Sequence, residues 1–180
     1  MLVGITKTGT TIFTKIQAVE TLMDDKNQPN RPTLGAKGDQ AQEANEAVAR
    51  LVEELQAGWD QHDAEISNQH FAADVMWGSP FGATVQDYKE LHAIHLRLKE
   101  QRKGGPSSRF EIMRVLAPAP GIAVAQVRRL ALDPQGQPIE PSDDLTGSFS
   151  EMALYVLVRR GGVWWLAAGQ NTPIRPTAMA

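Results

Sequence analysis

The chain of 180 residues has no cysteine, which excludes disulfides, thiolate metal sites and cysteine nucleophiles. It has no apolar run near the roughly 18 residues that a membrane-spanning helix needs, so no membrane partner is expected. The N-terminus carries only broken apolar residues where a secretory signal would carry a continuous stretch, and a cytoplasmic location is the default expectation. There is no excess of positive charge. The 18 Lys and Arg against 21 Asp and Glu leave a net charge of -3, and no basic stripe appears, which argues against nucleic acid as a partner. Arg97, Lys99, Arg102 and Lys103 cluster where a helix should end, and there they complement its dipole. No G-x-G-x-x-G follows a strand pattern, so no dinucleotide cofactor is expected, and none of any other kind is indicated.

The richest stretch lies near the end. Residues 147–172 read as two long strands joined by Gly161-Gly162, a pair that tolerates the positive φ values of a tight hairpin. Their alternation of apolar and polar residues is only partial, as suits a sheet covered on much of both faces.

From the start, residues 1–41 differ from the rest. Ile12, Ile16, Val19 and Leu22 have rough helical spacing, and a polar linker with two prolines and two glycines follows. Such a composition buries too little apolar surface to offset ordering entropy, so this segment is expected to be a poorly ordered extension. The folded domain is expected over 42–173, with a tail over 174–180. Ala44, Ala47, Val48, Leu51, Val52 and Leu55 form one helical face. Asp63 is a good N-cap for a second helix running to Phe71, and 74–77 reads as a short strand. A third helix is expected over 86–102, with Tyr88, Leu91, His95 and Leu98 as its inward stripe and His92 at the border. Strands over 109–117 and 122–132 follow, joined by a Pro-Ala-Pro-Gly turn. A polar, proline-rich connection leads to the final hairpin. Helices first and an antiparallel sheet last predict an α+β fold with the helices on one face and a pocket between the layers.

This order carries recognisable residues. W-x-x-x-D-A at 59–64, F-A-x-D-V-x-W at 71–77, the helix with His95, and W-x-L-A-A-x-Q-N-T at 164–172 together resemble the SnoaL-like branch of the nuclear-transport-factor-2-like superfamily, and most of all its SgcJ/EcaC family. The resemblance covers 42–173. It implies a cone-shaped, cystatin-like α+β fold, with three helices on a curved, mainly antiparallel sheet around a central cavity. It also implies a homodimer. The superfamily holds isomerases, cyclases and non-catalytic binding modules, so the fold alone does not settle the activity. Two functions are therefore carried forward. One is binding of a small apolar or aromatic molecule, with polyketide-cyclase or isomerase-type acid–base chemistry. The other is a non-catalytic dimeric association module.

His95, on an apolar helix face, is either a general acid–base or a buried histidine tied to a carbonyl. His92 and His95 stand three apart, but no third ligand is placed beside them, so no metal is expected. Trp77 offers an aromatic wall, and only one of Trp164 and Trp165 can face inward. Arg128 anchors either a ligand anion or a surface ion pair. Gln170 and Asn171 either orient a ligand or satisfy strand-end backbone groups. Glu151 and Tyr155 share one parity and Met152 and Leu154 the other. With Met152 turned to the cavity, Glu151 and Tyr155 face out, and Phe149 and Tyr155 serve a dimer interface on the outer face.

Overall fold

The structure, a computed structural model, describes residues 31–101, 105 and 107–176. The helical spacing between Ile12 and Leu22, and the ends of the third helix and of the tail, lie outside the described residues. Helix α1 spans Asp39–Asp60, so its first turn falls within the stretch expected to be linker. Just before it, the Ala36 amide donates to the Ala117 carbonyl at 2.8 Å. The apolar face of α1 is buried from Ala44 to Leu55, as the spacing predicts.

Helix α2 spans Ala64–Asn68. Asp63 caps it, its carboxylate accepting from the amides of Glu65 and Ile66 at 2.8 and 3.2 Å. The helix stops three residues short of the expected Phe71, because Phe71 begins a strand. Strand β1 covers Phe71–Gly78 and β2 covers Thr84–Val85, a pair of residues too short to carry any period. Helix α3 spans Tyr88–Gln101, and Asp87 accepts from the Glu90 amide at its start. Strands β3, Ser108–Ala119, β4, Ile122–Ala131, β5, Glu151–Arg160, and β6, Val163–Pro173, complete the order.

The six strands form one mixed sheet in the order β2-β1-β6-β5-β4-β3. Only β1 and β6 pair in parallel. Gly161 and Gly162 both have positive φ, 59° and 81°, as the tight β5–β6 turn requires. Helix α1 packs on β3 and β4, α2 on α1, and α3 on β1, so all three helices cover the same face. One core joins Val48 and Leu51 of α1 to Val127, Leu157 and Leu166 of the sheet. No helix among the described residues is long and apolar enough to cross a membrane.

Candidate functional site

The inner face of the sheet is the floor of the site. On β5 this face carries Glu151, Ala153, Tyr155 and Leu157. Across on β6 lie Asn171 opposite Ala153 and Gly169 opposite Tyr155. On β4, Arg129 faces Glu151 and Ala125 faces Tyr155. A cavity of about 350 Å³ lies between the floor and α3, within the range that suits a small ligand. Leu91, Ile94, His95 and Leu98 of α3 roof it, and Trp77 and Phe110 wall it.

Trp77 is the pivot of the aromatic wall. Its ring stacks on Tyr155, centroids 6.0 Å apart and planes 24° from parallel. It also stacks on Phe71 at 5.7 Å and meets the His95 ring edge-on at 5.5 Å. Gly169 permits this: a Cβ there would stand 2.7 Å from Trp77 Cζ3 and 3.2 Å from Tyr155 Cδ1. At the other end Phe81 and Phe149 meet edge to face, centroids 5.6 Å apart.

Beside Lys99, Ser79 and Asn171, two connected sets of polar side chains reach the cavity. The first is a chain of hydrogen bonds behind α3. Glu65 Oε1 lies 3.0 Å from His92 Nε2, and His92 Nδ1 lies 3.0 Å from Asn68 Nδ2. Asn68 Oδ1 in turn lies 2.9 Å from His95 Nδ1. An ionised carboxylate only accepts, so His92 Nε2 donates to Glu65. A neutral His92 then accepts at Nδ1, which the Asn68 amide nitrogen satisfies. That turns the Asn68 oxygen to His95, whose Nδ1 must carry the proton and donate. The lone pair of a neutral His95 is then on Nε2. Asn68 is fully buried, and the cap at Asp63 fixes the short helix that holds it. Tyr88 stacks on His92 at 5.2 Å, and burial, then the Glu65 charge, pushes the Tyr88 phenol up.

The second is an ion pair on the sheet. Arg129 donates through Nε to Glu151 at 2.7 Å, through Nη1 to Ser108 Oγ at 3.0 Å and through Nη2 to the Phe149 carbonyl at 2.9 Å. Its guanidinium also lies over the Trp59 ring, 4.8 Å from the centroid. Beside this pair Tyr155 is buried. Desolvation, and secondarily the Glu151 charge, pushes its phenol far above the ordinary value, with Arg129 opposing. Tyr155 therefore stays protonated and is a donor, never a base, at neutral pH.

Of the residues singled out on sequence, His95, Trp77 and Asn171 line the cavity. His92 does not; it stands behind His95 and orients Asn68. Arg128, Met152 and Gln170 lie on the opposite face of the sheet, away from this cavity. Arg128 and Met152 are register partners, and Gln170 opposes Leu154, so all three share the outward parity. Arg128 instead pairs with Glu111, Nη2 to Oε2 at 2.6 Å, which holds that carboxyl below its usual range, chiefly through this hydrogen bond. Gln170 donates to the Asn171 carbonyl at 2.9 Å. Phe149, Glu151 and Tyr155 face the cavity, so Phe149 and Tyr155 do not serve an outer dimer surface. Trp164 packs against the core and Trp165 meets His70 on the other side.

Asn68 and Arg129 escape sequence reasoning, and Glu151 and Tyr155, expected to face out, are turned inward. The alternation of Gln126 and Arg128 with Val127 and Arg129 in β4 marks Arg129 as sharing the apolar parity. Nothing local marks Asn68.

No family model matches the chain, and no curated protein matches it in sequence. Solved structures do match in shape. A domain of unknown function with a cystatin-like fold from Nostoc punctiforme superposes with a TM-score of 0.65 at 16% identity, covering 75% of this chain and 80% of that one. An NTF2-like protein of unknown function from Pseudomonas putida gives 0.58 at 15% identity, over 77% and 92% of the two chains. Aln2 from a Streptomyces species gives 0.57 at 16% identity, over 73% and 91%. Helices on one face of a six-stranded sheet, a cavity between them and these superpositions agree: the chain has the cystatin-like, nuclear-transport-factor-2-like fold.

Proposed function

We propose that this is a SnoaL-like small-molecule-binding protein, akin to the SgcJ/EcaC family its motifs resemble, whose cavity takes an apolar or aromatic ligand. The observation that carries the reading is the cavity of about 350 Å³, apolar in most of its lining and bordered by a few placed polar groups. The Glu65–His92–Asn68 chain supports proton transfer by His95, since it sets the tautomer whose Nε2 accepts a proton. Acid–base chemistry of the isomerase or cyclase type is the reaction class this arrangement suits.

Association into a homodimer belongs to the proposal as well, through the outer face of the sheet. There Met152, Leu154, Val156 and Val158 line up along β5, and Leu154 is 46% exposed. This stripe also favours the second reading, a non-catalytic association module, which would need the outer face and not the cavity.

Substitution of His95 by Gln separates the roles. Gln keeps an amide able to donate to Asn68 but removes titration. The proposal expects the variant to melt near the wild-type temperature while its affinity for 1-naphthol, measured by calorimetric titration, falls several-fold. A lowered melting temperature with unchanged 1-naphthol affinity in the folded fraction would sink the functional role of His95.

A further inference from the structure

We infer that Asn68 is a positioning residue that joins His92 and His95 into one proton-binding unit, and that the proton this unit takes up turns His95 Nε2 from an acceptor into a donor. The inference rests on the small-molecule reading for its use alone, since the coupling needs no ligand. Asn68 is fully buried. Its side chain makes two hydrogen bonds among the described residues, from Nδ2 to His92 Nδ1 at 3.0 Å and from His95 Nδ1 to Oδ1 at 2.9 Å. An amide has one donating end and one accepting end. It can serve one ring that donates and one that accepts, never two that donate. With both histidines neutral, the direction is set from outside, because the exposed Glu65 carboxylate accepts from His92 Nε2. His95 then donates through Nδ1, and its Nε2 bears the lone pair.

One added proton has two arrangements that keep every bond. In the first, His95 takes it on Nε2 and nothing else moves. In the second, His92 takes it on Nδ1, so both His92 nitrogens donate, to Glu65 and to Asn68. The amide turns over, its oxygen to His92 and its nitrogen to His95. His95 Nδ1 must now accept; it gives up its hydrogen and Nε2 gains one, so the pair gains one proton in all. Either way His95 Nε2 carries a hydrogen. Tyr88 stacks on His92 and Trp77 lies against His95, so both rings keep their planes while the amide turns. A second proton has no such arrangement. Both Nδ1 atoms would donate to one amide, and a buried hydrogen bond from a charged ring would be lost beside a like charge. Glu65 of α2 and Tyr88 of α3 face His92. Lys99 of α3, His62 before α2, and Arg129, Glu151 and Tyr155 of the sheet border the cavity with His95. These groups set the pH at which the proton enters; the amide sets how many enter together and where the hydrogen sits. Before uptake His95 accepts from a ligand hydroxyl or takes a proton, and after uptake it donates.

The test follows the ring nitrogens directly. The full chain, isotopically labelled at its histidines, is titrated without ligand from about pH 9 to about pH 5, the span in which histidines change charge. Long-range proton–nitrogen correlation reports which nitrogens carry hydrogen. At the alkaline end His95 should carry its hydrogen on Nδ1 alone. As the first proton enters, the Nδ1-only form should be lost and His95 Nε2 should gain a hydrogen, before both rings are doubly protonated together. His92 doubly protonated while His95 keeps its hydrogen on Nδ1 alone would overturn the inference. So would two rings that become doubly protonated at one midpoint. Asn68→Asp supplies a carboxylate that accepts from both rings. In that variant His92 should become doubly protonated while His95 keeps its Nδ1 hydrogen, the state the wild type excludes. Coupled behaviour unchanged in Asn68→Asp would overturn the role of the amide, and if that variant does not fold the wild-type titration decides alone. Each of these failures leaves the cavity reading standing, because ligand binding tests that reading separately.

Discussion

Replacing Gly169 by Ala sets two effects of opposite sign against each other. Glycine in a strand interior is disfavoured by roughly 0.5–1 kcal/mol relative to Ala, through the extra freedom it loses on folding. Propensity alone therefore predicts a gain in stability. The structure predicts a loss. A Cβ at this position would stand 2.7 Å from Trp77 Cζ3 and 2.8 Å from Cε3, closer than carbon atoms pack. The indole cannot yield freely, because it is held between Phe71 and Tyr155. Overpacking of this kind costs about 1–3 kcal/mol, which exceeds the propensity gain over most of its range. For a chain of this size each kcal/mol shifts the melting temperature by roughly 2–4 °C. The variant should melt several degrees lower, and the displaced Trp77 should change its fluorescence and reduce affinity for aromatic probes. In a Trp77→Leu background the same change should cost little or become favourable, a coupling that a double-mutant cycle isolates. A Gly169→Ala variant that melts at or above the wild-type temperature in the Trp77 background would refute the packing argument.

Removing Arg129 should be costly because Glu151 would be left nearly buried and unpaired; their side chains are 10% and 14% exposed. Arg129→Met should lose about 3–5 kcal/mol in chemical denaturation, and adding Glu151→Leu should restore most of it. Both tyrosines of the chain have raised pKa values, chiefly through desolvation. In the folded protein the phenolate absorbance should therefore fail to rise at the ordinary value near 10. The sign for stability follows: the unfolded phenol ionises near pH 10 while the folded one does not. The contribution of Tyr155 is thus full below about pH 10 and is lost as the pH rises above it. Urea melts across this range should show a steeper alkaline decline in the wild type than in Tyr155→Phe.

Much of the fold is legible in the sequence because its signals are local. The α1 face from Ala44 to Leu55, the Asp63 cap and the Gly161-Gly162 turn each depend on residues close together in the chain. The face of β5 is not local. Both of its parities are apolar, so Met152 or Tyr155 could equally be turned inward on sequence. The polar Gln126 and Arg128 identify the wet face of β4. Carrying that to β5 requires the register across the long connection after Ala131, which no local rule supplies. Once Arg128 is opposite Met152, the inward set follows, and with it the exchange of Arg128 for Arg129. The end of α2 also depends on tertiary pairing, since β1 joins β6 in parallel from Phe71 onward. Asn68 acquires its role only where α2 meets α3.

The central claim is that the space between α3 and the sheet admits an apolar aromatic ligand. Heteronuclear NMR of the full chain titrated with naphthalene tests it most directly. The account predicts saturable one-to-one binding that shifts Trp77, Ile94, His95 and Tyr155 and leaves Arg128 and Leu154 unmoved. No saturable binding, or shifts confined to the outer-face residues, would contradict it.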